Sequence, residues 1–161
     1  MINKLHLAMI ELYSGDAKRI QHFCKVHSYA KLIAETENVD EKCLFIIEAA
    51  ALTHDIGIHL CEEKYGNCNG KLQEKEGPAI AEKLLAKLGF DRDISDRVQY
   101  LIAHHHTYSN IDGIDYQILV EADFLVNIME DGLTKEAALK AYQNIFKTAC
   151  GKMICREMFG I

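Results

Sequence analysis

An apolar run in this chain ends on two titratable residues. In "AAALTHDIGIHL", residues 49–60, Ala49 to Leu52 read as the buried end of an element, and His54 and Asp55 then stand side by side before Gly57. An imidazole and a carboxylate are donor types that divalent metal ions share. Ile47, Ala50, Ala51 and His54 fall at i, i+3, i+4 and i+7, so His54 extends the apolar stripe of a helix. Neighbouring helical residues diverge by about 100°. His54 and Asp55 therefore converge on one small object only near a helix end. The carbonyl end of the helix dipole favours a cation there, and a metal ion accounts for a buried charge that is otherwise costly. An Asp capping a turn beside a hydrogen-bonded core His explains this stretch, taken alone, equally well.

Other polar residues also point inward. Leu119, Ala122, Val126 and Met129 define the apolar face of a late helix, and Asp123, beside Ala122 and four residues after Leu119, shares it. An earlier helix holds His22, on a face with Val26, Ala30 and Ile33, and His27, on a face with Phe23, Ala30 and Ala34. Periodicity does not choose between them. In "AHHHTY", Val98, Leu101, Ile102 and His105 keep helical spacing, which makes His105 the best inward candidate among His104, His105 and His106.

The elements that must position these side chains read as helices. Residues 2–13 form one, Gly15 ends it, and Asp16 caps a long helix running to about Glu37. Asp40 caps a third helix, and Gly57 is its expected end signal. The segment "CEEKYGNCNGK" reads as a polar loop. Pro78 suits the first turn of a helix closed by Gly89. Asp93 or Ser95 opens the next, through about His105. Tyr116 to about Glu130 is a helix, and Thr134 to Ala149 is the last. Period-two alternation is scarce, so the expected fold is all-α, one helical domain over residues 1–161.

Composition narrows the function. The chain has 161 residues, 49% of them hydrophobic, and a formal charge of −6. That acidity argues against a generic nucleic-acid binder, which usually shows a basic face. One proline and no tryptophan favour long helices over a turn-rich β fold. No apolar run reads as long enough to span a bilayer, and "MINKLHLAMIELYSGD" lacks a cleavage site. A cytoplasmic protein without a membrane partner is expected, its oligomeric state unread. Of the six cysteines, none forms C-x-x-C. Cys61 and Cys68 are the best pair for metal or redox work, and reduced thiols are the default.

The segments "RIQHFCKVHSYA", "AAALTHDIG" and "EADFLV" resemble, in order, the three metal-site segments of the HD-domain superfamily of metal-dependent phosphohydrolases, with the HDIG variant of its central motif. The similarity spans roughly residues 16–130 and implies an all-α helical bundle. In that family the leading His is followed by Val at four residues and Ala at eight. That register selects His22, with Val26 and Ala30, over His27. The implied metal ligands are His22, His54, Asp55 and Asp123. They would hold one divalent ion (Mn, Fe, Co, Mg or Zn) for hydrolysis of a small phosphomonoester or phosphodiester, nucleotide-like esters included. Phosphate then needs further donors, with His104 and His105 the first choices and Lys25 a third. The two-metal branches carry an extra His a few residues before a Gly. Aligned on Gly77, that position holds Gln73, and Glu74 or Glu76 are its only acidic substitutes. Two alternatives stand beside this reading: an HD-fold diiron oxygenase, drawing ligands from the triple His, and a non-catalytic metal- or nucleotide-binding module. The nucleotidase branch's acidic residue shortly after His-Asp has no counterpart in "IGIHL". The Gly-Tyr-Pro signature of the cyclic-dinucleotide branch is absent from "HHHTYSNIDGIDY".

Overall fold

In the computed structural model, which describes residues 1–161, nine α-helices and no strands account for the regular structure. They are α1 (Ile2–Leu12), α2 (Ala17–Thr36), α3 (Glu41–Thr53), α4 (Ile58–Tyr65), α5 (Gly70–Leu88), α6 (Arg92–Ile102), α7 (Ile114–Glu130), α8 (Lys135–Asn144) and α9 (Ala149–Phe159). The all-α expectation holds. Helix α2 packs most extensively on α3 and α7, and α5 on α6; α3 also touches α1, α6 and α7. One apolar cluster joins them, with Leu5, Val26, Ile47, Leu52, Leu101 and Leu119 fully buried.

Several helix starts are set by side chains that accept the otherwise unpaired N–H groups of a first turn. Asp16 Oδ1 accepts from Arg19 N at 3.2 Å and Asp40 Oδ1 from Cys43 N at 2.8 Å. Thr134 begins α8 in the same way.

Four expectations are corrected. Gly57 does not close a helix in a left-handed turn; its φ is −81°. The requirement is close approach. A Cβ on Gly57 would lie 3.0 Å from Gly77 N, and one on Gly77 2.7 Å from Ile102 Cγ2. The turn after α3 thus rests on the backbone of α5, and α5 on α6. The polar segment after Leu60 is largely helical as α4, ending at the left-handed Gly66. Helix α5 begins at Gly70, capped by Asn69, so Pro78 lies inside it and leaves the Glu74 carbonyl without its helical donor. The last helix is two. Buried Glu121 accepts from the backbone N–H groups of Lys147 and Thr148, and Thr148 Oγ1 caps α9.

The stretch Glu41–Tyr65 is, contrary to the sequence reading, long and apolar enough to cross a membrane by length and composition. Its most apolar window is 67% buried inside the fold, and the turn at His54–Gly57 divides it. All six cysteines are free; Cys61 is buried in α4 and Cys68 lies in the turn before α5.

Candidate metal centre

Three helices deliver the donors. His22 comes from the first half of α2, His54 and Asp55 from the turn that ends α3, and Asp123 from the middle of α7. His54 and Asp123 are almost fully buried, His22 is 8% exposed, and Asp55 is half-buried. His22 Nε2 lies 3.2 Å from His54 Nε2 and 3.2 Å from Asp123 Oδ1. His54 Nε2 is 3.5 Å from the same carboxylate oxygen. Asp55 Oδ2 closes the set, 3.5 Å from His22 Nε2 and 3.4 Å from His54 Nε2.

The far side of each ring fixes what faces the centre. His54 Nδ1 donates to the Ala51 carbonyl at 2.9 Å, and His22 Nδ1 donates to Glu130 Oε2 at 2.9 Å. A neutral imidazole carries one N–H, so both Nε2 atoms present lone pairs to each other and to Asp123. Asp123 Oδ1 is buried and has no hydrogen-bond donor. Lone pairs that converge in the dark of a core call for a cation. In the metal-free protein the only one at hand is a proton. Burial opposes charge on His22, but its hydrogen bond with Asp123 and the nearby Asp55 charge raise its pKa above the ordinary imidazole value. Burial likewise opposes charge on His54, and the Asp55 carboxylate lifts it well above. Against burial, the His54 charge holds Asp55 well below the usual carboxylate range. A proton shared with either imidazole supplies the donor that Asp123 Oδ1 otherwise lacks. The donor set, two imidazoles and two carboxylates from three helices, fits a divalent metal ion.

Asp55 is held from behind. Buried Tyr13, at the C-terminal cap of α1, donates its hydroxyl to the Asp55 carbonyl at 2.7 Å. Its two carboxylate oxygens serve two sides, because Oδ1 lies 3.5 Å from His105 Nε2. Asp55, His105 and His106 form a second convergent group. His105 is 1% exposed and donates Nδ1–H to the Ile102 carbonyl at 2.7 Å, so its bare Nε2 also faces inward. His106 Nε2 meets Gln73 Oε1 at 2.9 Å, and that oxygen is 3.3 Å from His105 Nε2. Burial, with His105 beside it, pulls His106 down to about 4.

The structure thus brings His22, His54, Asp55, Asp123 and His105 to one place. His104 is not among them. Helix α6 stops at Ile102, and in the turn that follows His104 Nδ1 donates to the Tyr100 carbonyl at 2.7 Å, its ring against Tyr100. His106 takes the place beside His105 instead. His27 lies away from the centre and contacts Glu48 Oε1 at 3.0 Å. Lys25 is committed to Glu130 Oε1 at 2.6 Å. Glu74 accepts from His106 N and the Thr107 hydroxyl, and Glu76 from Tyr65 and Lys64; neither enters the centre. Sequence reading missed Tyr13 and Glu130, which left no local signal, and named His106 only as a member of the triple His.

Comparison with known proteins bears on the fold and the family. A crystal structure described as a predicted HD superfamily hydrolase, from an uncultured Thermotogales bacterium, superposes with a TM-score of 0.71 at 24% identity. The match covers 98% of this chain and 84% of that one, and at this identity it speaks for the fold. No curated relative matches the chain. The profile of the HD domain family matches residues 19–150, a span that contains all four converging donors of the centre. That span is well over half of the chain, and the chain belongs to the HD domain family.

Proposed function

We propose that this chain is a metal-dependent phosphohydrolase acting on a small phosphomonoester or phosphodiester. One divalent ion would be held by His22, His54, Asp55 and Asp123. The observation that carries the reading is the buried, donorless Asp123 Oδ1 facing two bare imidazole nitrogens. Mn, Fe, Co and Mg suit the set, and Zn is compatible. When bound, such an ion lowers the pKa of water and polarises a phosphoryl oxygen.

The chain's own groups supply the rest. Asp55 links the ion side to the His105 side, through one oxygen on each. His105 keeps Nε2 bare because its other nitrogen donates to Ile102. It can therefore take a proton from attacking water and return it to the leaving oxygen. Tyr13 and the Gly57–Gly77 contact fix the turn that carries Asp55. The partner is a small phosphorylated molecule. Nucleic acid is not an expected partner, given the charge of −6, and no membrane partner is expected, because the apolar Glu41–Tyr65 stretch is mostly buried inside the fold.

A second reading is favoured by one specific observation. Asp55, His105 and His106 converge as a second donor group. An HD-fold diiron oxygenase would use such a group, and Gln73 stands between its two imidazoles. The test is a panel of phosphate esters with metal-stripped protein reloaded with each divalent ion, alongside metal stoichiometry and O₂ uptake. Chelator-sensitive ester hydrolysis with one ion per chain supports the proposal. Two irons with O₂ consumption and no hydrolysis refute it, and metal binding without turnover on either assay identifies a binding module.

A further inference from the structure

The two imidazoles of the centre are held differently. His54 Nδ1 donates to a neutral carbonyl one turn back on its own helix. His22 Nδ1 donates to the carboxylate of Glu130, from the last turn of α7. The other oxygen of that carboxylate accepts from Lys25 Nζ at 2.6 Å. Along Lys25, Glu130 and His22, side-chain exposure falls from 34% to 14% to 10%. The chain of contacts therefore runs from the rim into the core.

Its placement follows from two helical registers. On α7, Asp123 and Glu130 are separated by two turns and share the face that meets α2. On α2, His22 and Lys25 are one turn apart. Packing α2 against α7 thus brings both the carboxylate beside Nε2 and the carboxylate behind Nδ1 to one imidazole. Glu130 sits at the C-terminal end of α7, where the helix dipole disfavours an acid. Nothing in the local helix asks for a carboxylate there; His22 and Lys25 do.

We propose that Glu130 is a positioning residue for the metal centre, acting through His22, and that Lys25 attenuates it. The inference rests on the proposed metal centre. Glu130 locks the ring in the tautomer with Nε2 bare. Being charged, it also draws the Nδ1–H proton toward itself and strengthens Nε2 as a donor, which a carbonyl does less. Lys25, its ammonium occupied by Glu130, acts on the ion through that carboxylate and does not serve as a phosphate clamp.

The experiment titrates Co²⁺ into the full chain after metal stripping. It reads the dissociation constant by competition with a chelating dye, the Co²⁺ absorption spectrum, and the melting temperature of the stripped protein. Glu130→Gln keeps the shape and one acceptor oxygen but removes the charge. It should weaken Co²⁺ binding about 10–100-fold and shift the spectrum, with the stripped melting temperature unchanged. Lys25→Met should bind Co²⁺ more tightly than the parent, by up to about fivefold. An unchanged dissociation constant in Glu130→Gln, while His22→Ala loses binding, overturns the inference and leaves the centre standing. Weakening in proportion to a fall in the stripped melting temperature also overturns it, because Glu130 is then only a staple between α2 and α7. If Glu130→Gln does not fold, Lys25→Met decides: tighter binding supports the proposal, and equal or weaker binding overturns it. A parent chain that takes up no Co²⁺ overturns the metal centre itself.

Discussion

Asp123→Asn tests the centre at its most unusual atom. The substitution keeps the side chain's shape in a position that is 2% exposed and replaces a donorless carboxylate oxygen with an amide. The new N–H can donate to the bare Nε2 of His22 or His54, so the variant should fold. What it loses is an anionic ligand. Removing an outer partner of a metal site costs about 10–100-fold in affinity, and loss of a direct ligand should cost at least that. With free metal at 100 times the parent dissociation constant, binding stabilises the parent by about 2.7 kcal/mol. A variant weakened about 100-fold sits at its own dissociation constant and gains roughly 0.4 kcal/mol by the same relation. The missing stabilisation, about 2.3 kcal/mol, corresponds to roughly 5–9 °C for a domain of this size. The assay is thermal unfolding of stripped parent and variant, with and without Mn²⁺ or Co²⁺. A metal-dependent rise in Asp123→Asn equal to that of the parent would refute the ligand assignment. So would a parent whose melting temperature ignores the ion.

The remaining predictions concern the second side of the site. His105→Ala should keep the metal and lose ester hydrolysis by about 10²–10⁴-fold. His104→Ala should change little, since its ring lies against Tyr100 outside both donor groups; a loss matching that of His105→Ala would contradict this. His106, held down to about 4 from 6.5, binds its proton more readily in the unfolded chain. Stability should therefore fall as pH drops through 6.5 toward 4, by at most roughly 2 kcal/mol between pH 6.5 and 5. His106→Gln should flatten that part of the profile, and an unflattened profile would show that other groups set it. Gln73→His should add a second ion at Asp55 and His105, read by elemental analysis; a stoichiometry still at one would show that Gln73 is not what limits it.

The sequence by itself determined what rests on neighbours three or four residues apart. It placed α1, α2, α3 and α7, set the starts of α2 and α3 through the Asp16 and Asp40 caps, and marked His54 and Asp123 as inward polar residues on apolar stripes. Resemblance, and not periodicity, chose His22 over His27. The tertiary structure decided the rest, because contacts across helices leave no local period. Gly57 is small because α5 crosses it, not because a helix must end there. Thr148 starts a new helix because Glu121, on a helix 27 residues earlier in sequence, takes its N–H. His106 replaces His104 beside His105 because α6 stops one turn sooner than its apolar stripe suggests. Glu130 reaches His22 across a separation of 108 residues. Helical patterning states which face turns inward. Only packing α2, α3 and α7 together decides which buried nitrogens and oxygens face one another around a single point.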